Sequence, residues 1–158
     1  MRTILALAPA TVFLVGCLSN SPTGPGETSL AFETLLGSPY SGFDTARREA
    51  IRSTAEWNFA WQELHSGISP GPPIPAIDFG REMVVLVAAG RRNNGCYGIE
   101  VTEITRREDG RVEIEVVESV PGPSCVCTEA ITTPVHVIRT QRAWGAVSFR
   151  EVTRTLQC

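Results

Sequence analysis

The sequence predicts an α+β fold: a mostly antiparallel β-sheet or small sandwich packed with one main α-helix. Three observations point there. One segment, roughly 53–65, sets apolar residues at helical spacing behind a helix-start signal. Most later segments instead alternate apolar and polar residues, the two-residue period of strands. No internal repeat is visible, and at 158 residues the chain holds one domain rather than two substantial ones.

The N-terminus comes first and reads as an address. Residues 1–17 are MRTILALAPATVFLVGC. Arg2 supplies a positive start, and Ile4 to Val15 form an apolar stretch holding one proline. A membrane span takes about 20 apolar residues, so this stretch fits a secretory signal better. Leu14-Val15-Gly16-Cys17 resembles the lipobox of bacterial lipoproteins, in which a small residue before the cut admits the scissile bond to the peptidase and the cysteine thiol carries the lipid. Residues 1–16 are therefore expected to be a lipoprotein signal peptide and Cys17 the lipidation site. Two or more acyl chains give stable anchoring, where one is marginal, so the membrane is an expected partner. Leu18 after the cysteine favours the outer membrane if the cell has two. Residues 17–29 form the lipidated cysteine and a tether. Its Pro, Gly, Ser and Thr composition cannot bury enough surface to order itself, and eleven such residues reach on the order of 18 Å. The folded domain is expected over 30–158.

Leu30 to Tyr40 carries Leu30, Phe32, Leu35 and Leu36 and predicts a first strand ended by Gly37-Ser38-Pro39. Ser53-Thr54-Ala55-Glu56 is a capping-box pattern. Trp57, Ala60, Trp61 and Leu64 follow at helical spacing, and Ser66-Gly67 stops the helix. The helix is open to extension upstream through Ala46–Ile51. The two tryptophans read as core residues that pack the helix onto a sheet. Residues 69–76, SPGPPIPA, form a Pro-rich loop, and Asp78 caps or turns the start of the next strand. Met83 to Ala89 is an unbroken apolar run and predicts a central strand buried on both faces.

Tyr97, Ile99 and Val101, then Val112, Ile114 and Val116, alternate with polar residues around Asp109-Gly110, a hairpin signal. Glu100, Glu113 and Glu115 then share a solvated outer face. Val135 and Val137 predict a strand over 131–139 that Pro134 pushes toward an edge or a bulge. Trp144 to Val152 is expected to add a last strand.

Beyond Cys17, four cysteines remain: Cys96, Cys125, Cys127 and Cys158. An even number in an exported chain reads as disulfides. Cys125 and Cys127 are two apart and point to opposite faces if extended, so a bridge between them is disfavoured. Two pairings stay open: Cys96–Cys125 with Cys127–Cys158, or Cys96–Cys127 with Cys125–Cys158. Cys-x-Cys is a poor zinc spacing, so no metal site is expected.

Several chemistries have no foothold. A net charge of −3 gives no electrostatic footprint for nucleic acid. All 14 basic residues are arginine, which excludes Schiff-base lysine chemistry and a Walker-type phosphate loop. There is no Gly-x-Ser-x-Gly elbow and no Gly-rich phosphate loop. The two histidines are His65, at the helix end, and His136, between two valines in a strand. No catalytic residue, cofactor or enzyme activity is expected; a hydrolase would need His136 beside a hydroxyl and a carboxylate.

Four segments in order carry a family pattern: Trp57-x-x-x-Trp61; Pro75 to Val84 with Asp78-Phe79 at its centre; Gly95-Cys96-Tyr97-Gly98-Ile99; and Thr133-Pro134-Val135-His136-Val137-Ile138. Together they resemble the PrcB C-terminal domain family, the protease complex subunit lipoproteins of bacteria. The resemblance runs from about Trp57 to Arg139 and marks Trp57, Trp61, Asp78, Phe79, Gly95, Tyr97, Pro134 and His136 as structural motif residues. One departure is Cys96, where the family has the second glycine of Gly-Gly-Tyr. If that glycine needs a positive φ, the geometry is altered here. The resemblance implies a small exported β-rich domain without assigned catalytic residues, and association with a surface protease. The expected function is a lipid-anchored envelope protein with a non-enzymatic protein-interaction domain, an accessory subunit of an envelope protease complex. The alternative is a small-molecule or carbohydrate binder using Tyr40 or Tyr97. Loops 69–76 and 119–128 are the expected contact surfaces, because binding is concentrated on loops.

Overall fold

The computed structural model describes residues 26–158. The signal segment, Cys17 and the tether through residue 25 lie outside the described residues. The domain is β-rich with one short helix. In chain order the elements are β1 (Thr28–Ser29), β2 (Phe32–Ser38), β3 (Arg47–Ile51), α1 (Thr54–Leu64), β4 (Glu82–Ala88), β5 (Gly98–Arg106), β6 (Val112–Val120), β7 (Val135–Gln141) and β8 (Val147–Thr155). They form two four-stranded sheets, ordered β1-β5-β6-β8 and β2-β7-β4-β3. All pairings are antiparallel except β6 with β8, which run parallel because the chain crosses to the second sheet as β7 before returning. Thr28 and Ser29, read from sequence as the end of the tether, pair with Arg106 and Thr105, so strand pairing starts before Leu30.

β4 explains the architecture. Its side chains alternate between two cores. Met83, Val85 and Val87 join Val101, Ile104, Ile114, Val116 and Ile138 in a cluster drawn from both sheets. Val84, Leu86 and Ala88 join Trp57, Trp61, Leu64 and Val137 in a cluster under α1. With β7 on one side and β3 on the other, β4 is central and buried on both faces, as its unbroken apolar run predicts. β2 serves both cores through a bulge: the register shifts between Thr34 and Leu36, so Phe32 faces the first cluster and Leu36 the second.

α1 begins where the capping box places it. Ser53 is extended, at φ −139° and ψ 154°, and its hydroxyl accepts from Glu56 N at 3.3 Å. The Glu56 carboxylate reaches back to accept from Arg52 N at 3.1 Å, which holds its pKa below the usual carboxylate range. The helix does not extend upstream. Residues 47–51 are β3, whose backbone groups pair with β4 from Arg47↔Ala88 to Ile51↔Val84, and the extended Ser53 separates strand from helix.

Two further expectations change. The strand after Pro134 lies between β2 and β4 rather than at an edge. It begins one residue past the proline, so the missing N–H falls outside the ladder, while the Pro134 carbonyl accepts from Ala89 N at 2.9 Å. The last strand begins at Val147 rather than Trp144, and Trp144 sits in the preceding loop, 80% exposed.

Four cysteines form two bridges, Cys96–Cys127 and Cys125–Cys158, with Cα separations of 5.5 and 4.9 Å. This is the second of the two open pairings, and it ties the C-terminal residue to the loop between β6 and β7. Both bridges lie at one pole, beside the starts of β5 and β7. The opposite pole holds Gly26, the β5–β6 hairpin loop and the β7–β8 loop.

Candidate functional site

An open concave surface lies along α1 and the Pro-rich loop. Trp57 and Trp61 occupy successive turns with ring centroids 5.1 Å apart. Both rings are buried, but each indole N–H finds a carbonyl in the loop. Trp57 Nε1 donates to Pro75 O at 3.0 Å and Trp61 Nε1 to Pro72 O at 3.1 Å. A buried indole needs such an acceptor, and the loop's carbonyls, outside any helix or strand ladder, supply one. The two bonds pin loop 69–76 to the helix. His65 ends the helix: its Nδ1–H donates to Trp61 O at 3.0 Å and its ring packs at a tilt of 48° against the Trp61 ring, centroids 4.3 Å apart.

The result is a ridge, His65 to Ile68, with an open groove on each side. One groove, about 370 Å³, is lined by Trp61, His65, Ile68, Pro72 and Ile74. The other, about 320 Å³, is lined by Leu36, Tyr40, Leu64, His65 and Ile68. Tyr40, Ile68 and Ile74 are 61%, 58% and 41% exposed. Sequence reasoning found Tyr40 and the loop but missed Ile68 and Ile74. Their signal was present: isolated large apolar residues in a Pro/Gly-rich loop that has no alternating pattern to bury them.

The remaining motif residues fall into two places. Asp78 and Phe79 stand before β4, where Asp78 Oδ1 accepts from Gly80 N at 3.0 Å and Asp78 O from Arg81 N and Glu82 N. That is the turn expected of it, while Phe79 packs against the core under α1. Gly95, Tyr97, Pro134 and His136 gather at the disulfide pole. A Cβ at Gly95 would meet the Thr128 hydroxyl, so a side chain there would have to turn Thr128 away. No non-glycine residue among the described residues has a positive φ, so Cys96 sits in ordinary backbone and its side chain anchors the bridge to Cys127. The Arg92 guanidinium covers the Tyr97 ring, 5.7 Å from its centroid.

His136 links the two sheets. Val101 N on β5 donates to its Nδ1 at 2.9 Å, and its Nε2 lies 3.0 Å from Thr34 Oγ1 on β2. An amide N–H can only donate, so Nδ1 carries no proton. Nε2 therefore carries it and donates to the Thr34 hydroxyl. A general base for a hydroxyl nucleophile needs the opposite polarity, so in this arrangement the imidazole does not activate Thr34. Burial pushes its pKa below the ordinary histidine value, against a smaller opposing pull from Glu100.

The outer-face carboxylates are engaged. Arg150 pairs with both Glu115 and Glu113, Arg107 with Glu113 at 3.2 Å, and Arg154 with Glu100 at 3.0 Å. Glu115 also accepts from the Thr102 hydroxyl at 2.5 Å. Parallel pairing of β8 with β6 sets Arg150 opposite Glu115. No group of three His, Cys, Asp or Glu residues suited to a metal occurs among the described residues.

Fold and site thus define a disulfide-stapled, β-rich α+β domain with an apolar groove along its single helix. The sequence profile of the family described as PrcB C-terminal matches residues 83–141, from β4 through β7, and over that stretch the chain carries the family's pattern. The match includes Gly95, Tyr97, Pro134 and His136 and stops short of the tryptophan helix and Asp78-Phe79. No curated protein and no solved structure matches the chain.

Proposed function

We propose that this protein is a lipid-anchored, non-enzymatic interaction module of the bacterial cell envelope, serving as an accessory subunit of a protease complex. The observation that carries the reading is the pair of open apolar grooves flanking the His65–Ile68 ridge. Three large exposed apolar side chains line a surface held rigid by two indole–carbonyl bonds. Such a surface gains by being covered. A groove open along its length suits an extended or helical segment of another protein better than an enclosed small ligand. The match to PrcB C-terminal supports a protease-associated partner. The lipobox at Cys17 supports the anchor, with the outer membrane as location in a two-membrane cell.

Co-purification of the native, detergent-extracted lipoprotein tests this. A protease subunit should accompany it in fixed ratio, and Ile68→Asp/Ile74→Asp should abolish the association at unchanged melting temperature, since both side chains are exposed. Equal recovery with the double variant would rule out the groove.

A further inference from the structure

We infer that the loop between β6 and β7 is a substrate-like loop for a serine endopeptidase, with Val126 entering the enzyme's specificity pocket and both sides of the Val126–Cys127 bond tied down. This deepens the protease association proposed above and rests on it for the presence of such an enzyme.

Val126 is 99% exposed, the most open large apolar side chain among the described residues. It stands between two cysteines that are bridged in different directions. Cys125 is tied to Cys158, just past β8, and Cys127 to Cys96, just before β5. Exposure alternates along this run: Cys125 and Cys127 are half-buried, while Val126 and Thr128 are exposed. A two-residue alternation marks an extended backbone, and no residue of the run has a positive φ. The bridges draw the two cysteine side chains onto the domain, so the valine between them projects away from it.

The frame around the valine is fixed. Cys125 N donates to Gly122 O at 3.1 Å and Gly95 N to Thr128 O at 3.0 Å, while Arg92 and Thr132 exchange two backbone bonds of 2.8 and 3.0 Å. Between these ties, the N–H groups of Val126 and Cys127 have no hydrogen-bond partner among the described residues. The Cys96 sulfur lies 4.0 Å from Val126 O, but it is bridged and has no proton to give. An extended segment with free main-chain groups is bound through those groups, and a side-chain pocket adds specificity. The alternating run is only four residues long and has one anchor side chain, which suits an endopeptidase cleft better than a lasting sheet edge. A valine fits a small apolar pocket of the elastase kind. Because the loop is already ordered, docking it loses little conformational freedom.

The two bridges also straddle the bond after Val126. In the covalent step the enzyme's serine oxygen bonds to the Val126 carbonyl carbon, and the Cys127 nitrogen leaves with a proton as an amine. Each bridge joins the two resulting pieces, Cys96 to Cys127 and Cys125 to Cys158. The amine is thus held beside the acyl carbon at high effective concentration. It re-forms the peptide bond and returns the proton to the serine faster than water completes hydrolysis. An untied substrate would release its amine and vacate the cleft. The tied loop stays in place and restrains the enzyme.

Native, detergent-extracted lipoprotein is mixed with pancreatic elastase or with trypsin, each assayed on a small chromogenic peptide. Elastase should be inhibited competitively and trypsin should not. Val126→Asp should weaken the inhibition of elastase at least about 100-fold. Val126→Arg should move the inhibition from elastase to trypsin, whose pocket carries an acid. The side chain is exposed, so both variants should keep the wild-type near-ultraviolet circular dichroism. Any chain cut by elastase should gain the mass of one water and run as one piece until it is reduced. Elastase unaffected by the wild type, rapid cutting after Val126 without lasting inhibition, or equal inhibition by wild type and Val126→Asp overturns the inference. The groove variant Ile68→Asp/Ile74→Asp should inhibit as the wild type does, so loop and groove are read separately. A lipoprotein that inhibits elastase but co-purifies with no protease overturns the accessory-subunit reading alone. One that co-purifies with a protease but does not inhibit elastase overturns this inference alone.

Discussion

His136 holds one hydrogen bond on each ring nitrogen, and protonation affects them differently. The Nε2–H bond to Thr34 survives a second proton. The Nδ1 acceptor for Val101 N–H does not, because two N–H groups would then face each other. The folded-state pKa lies below the ordinary value of about 6.5, with burial the main cause and Glu100 opposing it. The unfolded chain therefore takes up the proton first. This contribution is fully present above the unfolded pKa and is lost as pH falls through the folded one. Urea midpoints for wild type should accordingly drop between pH 7.5 and pH 5.5. His136→Phe should flatten that drop and cost about 1–3 kcal/mol at pH 7.5, the price of an unsatisfied buried amide. A variant with the same pH profile as wild type would remove His136 from this role. The valines beside His136 made its strand placement legible. Its partners were not, because Thr34 and Val101 are brought to it only by the bulge in β2 and the approach of β5.

At the scale of elements, what was legible was local. The start of α1 could be read because its cap, Ser53 and Glu56, lies within the helix's own first turn. Ser53→Ala should cost about 1 kcal/mol in thermal or urea unfolding. Trp57→Ala, at 1% exposure, should cost about 3–5 kcal/mol and also loosen loop 69–76, seen as faster amide exchange there. The helix's upstream limit could not be read. Arg47–Ile51 is a strand only because β4 offers it an edge, and a partner more than 30 residues away leaves no trace in local spacing. β7 shows the same limit: Pro134 signals a break in the ladder, but nothing nearby says that the strand following it will be central. The grooves were half legible, since the Pro-rich loop was evident and the ridge at Ile68 was not.

For the whole molecule, the two poles carry different demands. Both disulfides lock the pole away from the chain's exit, and Cys125–Cys158 closes a loop of sequence separation 33. Cys125→Ser/Cys158→Ser should lower stability by about 2–4 kcal/mol in urea unfolding, whereas loss of a single exposed ion pair such as Arg111–Asp109 should leave the urea midpoint unchanged. The even cysteine count was readable; the choice between the two pairings was set by the fold, which brings Cys96 beside Cys127. Gly26, where the described chain begins, and the groove lie toward different ends of α1, so under the proposed function one chain can hold a membrane and a partner at once. The most direct test of that arrangement is in-cell photo-crosslinking with a photo-reactive residue placed at position 68, on the ridge, or at position 150, on the outer face of the β5–β6–β8 layer. One discrete adduct is expected at position 68, containing an envelope protease subunit, and none at position 150. No adduct at position 68, or equal adducts at both positions, would rule out the groove as the partner's site.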